Sequence, residues 1–538
     1  RPLFDHWLQN CYPAHVRPFA REIDTALLDA ASDATVPDLA TVDPLVLRRL
    51  RLPVRHGGGG LRELADLCDA AFLGGAVQAF PFLIDRTDEE GVRRQGCCHD
   101  ALVDTMGAGS FDHGNDHPLR VLLACNLNTA AAMQGAHDRL RAQVASAPGF
   151  AHLALAPPAE DLGSKGEGRL QNLLTKEIED YRASALAESF RQTDADYFPA
   201  RAALNCDRIS SVFLTAIPTE SNTCLDIVWR AGFANHFGLP FHAFSRHEGQ
   251  QLRGVKKDGA NSVCDKYGNA FVLAAVKGCA GQIKRHDGIA WLLMDMFNQA
   301  GYNCQHEASF IFRDCVPAPV FEEWQQKSHS RAGNYITPDI HMATADGAPP
   351  ILIDVKAVYG GARYGQNRGV SCGAVASRQA RAKKEYVNRA RELDSKHNHT
   401  PGEEVGPVQT RLEEYGDIKI PVAGMFNEIS RDFHDLIAFT AQDIAKKRFE
   451  ATTLPVESHA ELIGPIMWHL KQSVGMHLFR TGMAFKLDRL YLCTGLSHSS
   501  AYARSQGYYR NQSTYTTTER IMQRWQQVRR QPVSSRLW

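Results

Sequence analysis

The chain has 538 residues, of which 44 % are hydrophobic and 22 % are charged, and this composition is typical of a folded globular protein rather than a disordered one. Its length predicts two to four domains. Sixty basic residues balance sixty acidic ones, so the whole chain lacks the positive charge of a general nucleic-acid binder, and any such surface must be local.

The cysteines and the hydropathy pattern indicate the compartment. Thirteen cysteines occur without any CxxC pair, and there is no signal peptide and no apolar run of 18 residues. We therefore expect reduced thiols, a nuclear or cytoplasmic location and no membrane partner. The sequence begins with Arg1 rather than Met, so we expect a fragment of a longer protein. It contains no Tyr/Phe-x-Asp-Asp motif, so polymerase activity is not expected from this piece.

The first half of the chain predicts mainly helices. Residues 1–200 are rich in Leu and Ala in their first part, and a helix from Leu64 to Phe72 is predicted after the glycine run Gly57–Gly60. That run lacks the Gly-Lys-Ser/Thr of a phosphate-binding loop. Farther on, Ile209–Ile217 predicts a strand, and a helix is predicted from about Thr223 to Phe237.

The second half predicts helices and strands in alternation. Apolar residues at helical spacing from Ile289 predict a helix that stops before Gly301. The predicted elements that follow are strands at Tyr302–Phe312 and Ile351–Val358, a helix capped by Ser377 that runs to about Asp394, and a further strand within Ile418–Phe426.

Asp354-Val-Lys356 is the motif that points most directly to chemistry. On a strand, Asp354 and Lys356 would share one face while Ile353 and Val355 point to the other. A neighbouring strand that ends at Asp339 could bring a second carboxylate to the same place. Two carboxylates suit Mg²⁺ or Mn²⁺, and an adjacent lysine can position or deprotonate a water for phosphodiester hydrolysis. The alternative for the motif alone is an edge hairpin with solvated charges.

The Pro-Asp, fourteen intervening residues and Asp-x-Lys resemble the PD-(D/E)XK, or restriction-like, nuclease family. The segments that flank these motifs resemble a more specific group within this family. Lys284-Arg285-His286-Asp287 before the helix, and Leu52–Arg62 near the start, are similar to segments of site-specific non-LTR retrotransposon proteins. The alternative interpretation of Leu52–Arg62 is an ordinary glycine-rich turn before a helix. The fold that this resemblance implies is α/β, with a nuclease core and mainly helical N- and C-terminal regions.

A degenerate zinc knuckle is part of the same resemblance. Proteins of this kind carry a Cys/His knuckle just before the Arg-His pair, and Cys264–Phe271 occupies that place here. The histidine of the family falls on Ala270 and its last cysteine near Ala274, with Cys279 off register. A structural zinc site needs four nitrogen or sulfur ligands, so no zinc is expected.

The resemblance implies roles for particular residues. It makes DNA the expected partner, with element RNA as a second candidate, and the reaction a metal-dependent nicking of target DNA. The alternative is a decayed or domesticated module that binds nucleic acid or serves in an assembly. The implied metal ligands are Asp339 and Asp354, the catalytic set adds Lys356, Glu307 and Tyr386, and the nucleic-acid set is Arg378, Arg381, Lys383, Lys384, Arg285 and His286.

The predicted domains follow from these assignments. They are a post-polymerase-like helical region at 1–200, a knuckle-like region at 201–280, the nuclease core at 281–440 and a basic helical extension at 441–538. From Ala501 onward the extension has seven arginines and one acid, interleaved with aromatic residues, which suits phosphate contact and base stacking as well as it suits a basic helix with a frayed tail.

Overall fold

A computed structural model of the chain forms two compact units, Arg1–Thr193 and Asp194–Trp538. The last three predicted regions, 201–280, 281–440 and 441–538, all fall in the second unit. The basic segment predicted from Ala501 onward lies outside the described residues. The residues that the structure describes are 8–36, 39, 42–83, 86–87, 93–94, parts of 132–142, 169–192, 208–216, 224–253, 263–273, 281–327, 335–343, 349–358, 371–398, 404–451 and 456–494.

The first unit is built from helices, and its glycine run forms the tight turn between two of them. Gly57 and Gly60 have φ values of 72° and 74°, which only glycine adopts without strain. A Cβ on Gly58 would lie 2.1 Å from the carbonyl oxygen of Leu52, so this glycine is also required for close packing. The elements are α1 Pro13–Ala34, α2 Pro44–Arg51, α3 Leu64–Leu83, the two-residue strands β1 Arg86–Thr87 and β2 Arg93–Arg94, and α4 Arg169–Gln192.

The second unit is also mostly helical, with small sheets at its centre. A 3-10 helix at Arg208–Leu214 opens it, and another lies at Ser309–Cys315. Its helices are α5 Asp226–Phe237, α6 His242–Ser245, α7 Asn269–Leu273, α8 Gly281–Gln299, α9 Ala318–Lys327, α10 Ser371–His397, α11 Pro407–Glu414, α12 Arg431–Ala451, α13 Ala460–Asp488 and α14 Tyr491–Thr494, and its strands are β3 Asn303–His306, β4 Ile340–Ala343, β5 Ile351–Ile353, β6 Lys356–Ala357 and β7 Val422–Ala423.

The strands separate two hydrophobic cores. β3, β4 and β5 pair antiparallel in that order, and β6 pairs with β7 in parallel. Because successive side chains on a strand point to opposite faces, Ile353 and Val355 are buried in the core that α8, α12 and α13 complete. Leu352, Val358 and Val422 are buried in the other core, under α9, α10 and α11.

Three predicted elements differ from the structure. The strand predicted at Ile209–Ile217 is the first 3-10 helix, because its buried apolar residues pack around α13 instead of joining a sheet. The strand predicted at Tyr302–Phe312 ends at His306, since Glu307 has a φ of +57° and leaves the extended conformation. The helix predicted to be capped by Ser377 already begins at Ser371, which places Ser377 inside α10.

The remaining predicted elements are found in shifted form. The helix predicted to begin near Leu64 extends to Leu83, and the one ending at Phe237 begins at Asp226. Gly301 follows the end of α8 with a φ of +82°, the left-handed conformation typical of a helix stop. Among the described residues, no helix combines the length and the apolar character needed to cross a bilayer.

Candidate active site

Asp354 and Val355 lie in a short break between β5 and β6, and a parallel segment holds this break in place. The amide of Asp354 donates to the Lys419 carbonyl, and the amide of Lys356 donates to the Pro421 carbonyl, each at 2.9 Å. The Asp-x-Lys motif is therefore fixed by main-chain bonds to residues more than sixty positions away. Its side chains take their positions from a backbone that has little freedom to move.

Asp354 lies against Lys356 of its own motif and near Tyr386 of α10. The Lys356 ammonium contacts Oδ2, and the Tyr386 hydroxyl on α10 lies close enough to the same carboxylate to affect its pKa. The Asp354 side chain is only 4 % exposed. Burial raises its pKa and the Asp339 carboxylate raises it further, although Lys356 opposes both effects. Lys356 therefore offsets only part of the burial and like-charge effects, and the pKa of Asp354 stays above its usual value.

Asp339 lies beside the same motif but directly before β4, not at the end of a strand as predicted. Its Oδ2 accepts the Val355 amide at 2.6 Å and contacts His286 Nε2 at 3.1 Å. Its carbonyl accepts the Glu307 amide at 2.9 Å. Burial alone would raise the pKa of Asp339, but His286, Lys356 and the Val355 amide outweigh burial and lower it. Asp339 is therefore an ionised carboxylate within electrostatic reach of Asp354.

His286, which the sequence analysis assigned to nucleic-acid contact, lies in this carboxylate site. Its Nε2 is 2.9 Å from the Val355 carbonyl oxygen, which can only accept, so Nε2 carries a hydrogen. Its Nδ1 is 3.1 Å from Asp287 Oδ1. Burial would lower the pKa of His286, but the bonds to Asp287 and Asp339 outweigh it and raise the pKa to about 10. At neutral pH His286 is a cation that bridges two carboxylates.

Arg285 and Glu307 occupy positions that differ from those predicted. The Arg285 side chain is buried and donates to the Gly424 carbonyl at 2.7 Å, so it faces protein where a phosphate contact was predicted. Glu307 lies one residue beyond β3, not on it, and it reaches Asp339 through its amide. Its amide, together with the Ala308 amide, which donates to the Pro338 carbonyl, fixes the backbone of Pro338–Asp339.

The basic residues of α10 divide into two groups. Arg378 lies close enough to affect Lys356 electrostatically, and it pairs with Glu385 at 3.0 Å, as Arg381 does at 3.3 Å. Lys383 is held by Asp417 at 2.7 Å and by the buried Asp432 at 3.1 Å, so it is a structural contact more than a free cation. The exposed basic side chains of this helix are those of Arg381, Lys384, Arg389, Arg391 and Lys396.

The knuckle-like segment is held by a buried lysine from α13. The Lys486 Nζ donates to Asn235 Oδ1, Asn269 Oδ1 and the Tyr267 carbonyl at 2.6, 3.0 and 3.3 Å. Asp265 accepts the amides of Tyr267 and Ala270, at 2.9 and 2.6 Å. Within the described part of the chain, no group of three or more His, Cys, Asp or Glu side chains could hold a metal ion. Packing and these hydrogen bonds organise residues 263–273.

Sequence reasoning missed the contacts that orient Asp339. Neither the Val355 amide nor the pairing of His286 with Asp339 has a local signal, because 53 positions separate the two side chains. The sequence offered only the adjacency of a histidine and an acid at 286–287. No family model matches this chain, and no curated protein matches it significantly.

Proposed function

We propose that this chain is a Mg²⁺- or Mn²⁺-dependent DNA endonuclease of the restriction-like type, derived from a retroelement protein. The observation that carries the proposal is the meeting of Asp339, Asp354 and Lys356 at one place, beside Tyr386. The order of helix α8, strands β3 to β6 and helix α10 supports it, because the resemblance implies that order. DNA is the proposed substrate, and element RNA is a second proposed partner.

The two carboxylates fit a hard divalent cation. Asp339 and Asp354 offer oxygen ligands, and Mg²⁺ is commonly held by one or two carboxylates together with waters and phosphate oxygens. The Lys356 ammonium lies against the buried Asp354 Oδ2, so a metal ion bound there would take over part of its charge compensation. A bound Mg²⁺ would supply Lewis acidity to the scissile phosphate and lower the pKa of a coordinated water.

The protein's own residues would position the reactants. His286 and the Val355 amide hold Asp339 Oδ2, which leaves Oδ1 to face a ligand. The Lys356 ammonium would place positive charge next to a phosphate or a water held by the carboxylates. Tyr386 on α10 would interact with the same Asp354 carboxylate. Each group is itself held by main chain or by a packed helix, which favours a fixed geometry.

A second candidate function is a nuclease-fold module that binds nucleic acid or serves in an assembly without cleaving. The observation that favours it is internal neutralisation: Lys356 faces Asp354, and His286 faces Asp339. A site whose charges already balance could persist as a structural network. The endonuclease binds DNA, and so does the second candidate in its nucleic-acid-binding form, so a binding assay alone does not distinguish them.

Nicking of supercoiled plasmid DNA separates the two candidates. The full chain is incubated with plasmid in Mg²⁺, in Mn²⁺ and in EDTA, and open-circular DNA is quantified on gels. The endonuclease proposal expects nicking in either metal, none in EDTA and none with Asp339→Asn. Cleavage that Asp339→Asn leaves unchanged would come from a contaminant or another site. Binding without cleavage in any metal would establish the second candidate instead.

A further inference from the structure

The carbonyls that hold the Asp-x-Lys motif belong to an extended segment, residues 419–423, whose other edge faces away from the motif. The Lys419 and Pro421 carbonyls point to the motif and accept its amides. Peptide groups of an extended segment point alternately to its two edges, so the amides of Ile420 and Val422 point the opposite way. The partners of these two amides therefore determine where the segment lies, and with it the two carbonyls.

Two side chains at the start of α12 bind this other edge. Asp432 Oδ2 accepts the Ile420 amide at 2.8 Å. Ser430 Oγ accepts the Val422 amide at 2.9 Å and donates to the Ile420 carbonyl at 3.2 Å. Asp432 is 5 % exposed and Ser430 is 1 % exposed, so water is largely excluded from these bonds. A buried amide that lost its acceptor here would have to find another protein partner.

The Asp432 carboxylate is held in two ways that differ in chemistry. It lies in the first turn of α12, where the helix N-terminus favours a negative charge. Lys383 Nζ on α10 lies 3.1 Å from Oδ2, the same oxygen that accepts the Ile420 amide. The ion pair needs the negative charge, whereas the amide needs only an oxygen acceptor. An asparagine side chain would supply the acceptor without the charge, so the two contributions can be separated.

We propose that Asp432 and Ser430 are positioning residues of the cleavage reaction, an inference that rests on the proposed function. They hold residues 419–423 in place, and that segment in turn fixes the backbone of Asp354 and Lys356. Because they act through the main chain and not on the reactants, substituting them is expected to lower kcat and to leave the KM for DNA nearly unchanged.

The effect on the motif passes through neighbouring peptide groups. Without its acceptor, the Ile420 amide would turn toward a new partner, and the Lys419 and Pro421 carbonyls on either side would turn with it. The amides of Asp354 and Lys356 would then follow those carbonyls or lose their bonds. A displacement of about 1 Å at reacting groups can lower a rate by about 10²-fold, so the loss of one acceptor at α12 is expected to appear in turnover.

Plasmid nicking in Mg²⁺ with the full chain tests the proposal through kcat. Asp432→Ala is expected to lower kcat by about 10- to 100-fold and to leave the KM for DNA within about threefold of the wild type. Asp432→Asn keeps the acceptor, so its kcat should lie within about threefold of the wild type. Both variants lose the charge that pairs with Lys383, so both should melt at a lower temperature. Asp435→Ala, which removes a 58 % exposed carboxylate from the same helix, is the control that should match the wild type. Equal kcat values for Asp432→Ala and Asp432→Asn would overturn the proposal.

Hydrogen exchange of the same proteins, followed by mass spectrometry without DNA or metal, tests the positioning independently of cleavage. Asp432→Ala should speed exchange in peptides that cover residues 352–358, whereas Asp432→Asn should not, and peptides of α8 should exchange as in the wild type in both. Ser430→Ala should act on the same peptides as Asp432→Ala, which keeps the test decisive if Asp432→Ala does not fold. Wild-type exchange at 352–358 in the folded alanine variants would overturn the proposal. A wild-type chain that does not nick DNA in Mg²⁺ or Mn²⁺ would refute the proposed function instead, and the exchange rates would still decide whether Asp432 holds the motif.

Discussion

Asp354→Ala is the substitution that tests the proposed site most directly. The side chain is 4 % exposed, touches Lys356 and is one of the two proposed metal ligands. Loss of a ligand from a catalytic metal site removes several kcal/mol of transition-state stabilisation, and about 4 kcal/mol corresponds to a rate lower by about 10³. We therefore expect nicking by the variant to fall at least about 10³-fold, to the level seen in EDTA.

The fold of the variant should survive, because the cost of the substitution is limited. Removing one partner of a buried ion pair costs about 3–5 kcal/mol when the remaining charge has no compensation. Here the Lys356 ammonium is 25 % exposed and keeps Asp339 nearby, which lowers the cost to about 1–2 kcal/mol. Tyr386 loses its interaction with the carboxylate, which is worth at most about 1 kcal/mol. A melting temperature lower by less than about 10 °C is expected.

The assay combines plasmid nicking with thermal melting by circular dichroism. Asp435→Ala is the matched control, because it removes a carboxylate of the same unit that is 58 % exposed and lies on α12. This control should nick DNA at the wild-type rate. If Asp354→Ala nicks as fast as the control while both proteins remain folded, the assignment of the carboxylate site is wrong.

Three further outcomes are expected from the described contacts. Lys384→Ala should lower the slope of log affinity for DNA against log salt concentration by up to about 0.9, and it should leave the melting temperature unchanged. Lys383→Ala should instead lower the melting temperature, because Lys383 is held by Asp432. Equal salt slopes for the wild type and Lys384→Ala would remove α10 from the DNA path. Burial lowers the pKa of Lys486 to about 7, so between pH 7 and about 10 the unfolded chain binds one more proton than the folded one. The free energy of unfolding, measured with denaturant, should therefore rise by at most about 1.4 kcal/mol per pH unit in this range. Lys486→Met should abolish this rise, and an unchanged pH dependence in the variant would contradict the argument. Gly58→Ala should destabilise the first unit by more than about 2 kcal/mol, since its Cβ would clash with the Leu52 carbonyl, and a melting temperature equal to that of the wild type would refute the packing argument.

The local pattern of the sequence predicted the arrangement around Asp354 for a physical reason. Alternation on a strand depends only on neighbouring residues, so Ile353 and Val355 were expected on the face opposite Asp354, and they are buried in one core. The alternative given for the glycine run, a turn before a helix, was also readable, and Gly57 and Gly60 adopt the positive φ that such a turn uses. The family relationship of that segment stays a prediction.

Positions that depend on distant contacts were not readable in the same way. Lys383 looks like any basic residue of an exposed helix face, yet Asp417 and Asp432 engage it from segments that follow α10. Arg285 stands beside a histidine in a motif that suggested phosphate contact, yet it is buried against the Gly424 carbonyl. The partner in each case comes from a segment far along the chain, and no local pattern specifies it.

The charge arrangement of the site links its integrity to the fold. Two buried carboxylates beside each other are stable only if cations from elsewhere reach them, because burial and like charge both oppose ionisation. Lys356 comes from the motif itself, whereas His286 comes from α8, so ionisation of Asp339 requires the α8 core to be packed. Loosening of α8 would then withdraw His286 and raise the pKa of Asp339 toward its unpaired value. Only the packed unit would therefore hold the pKa of Asp339 below its usual range.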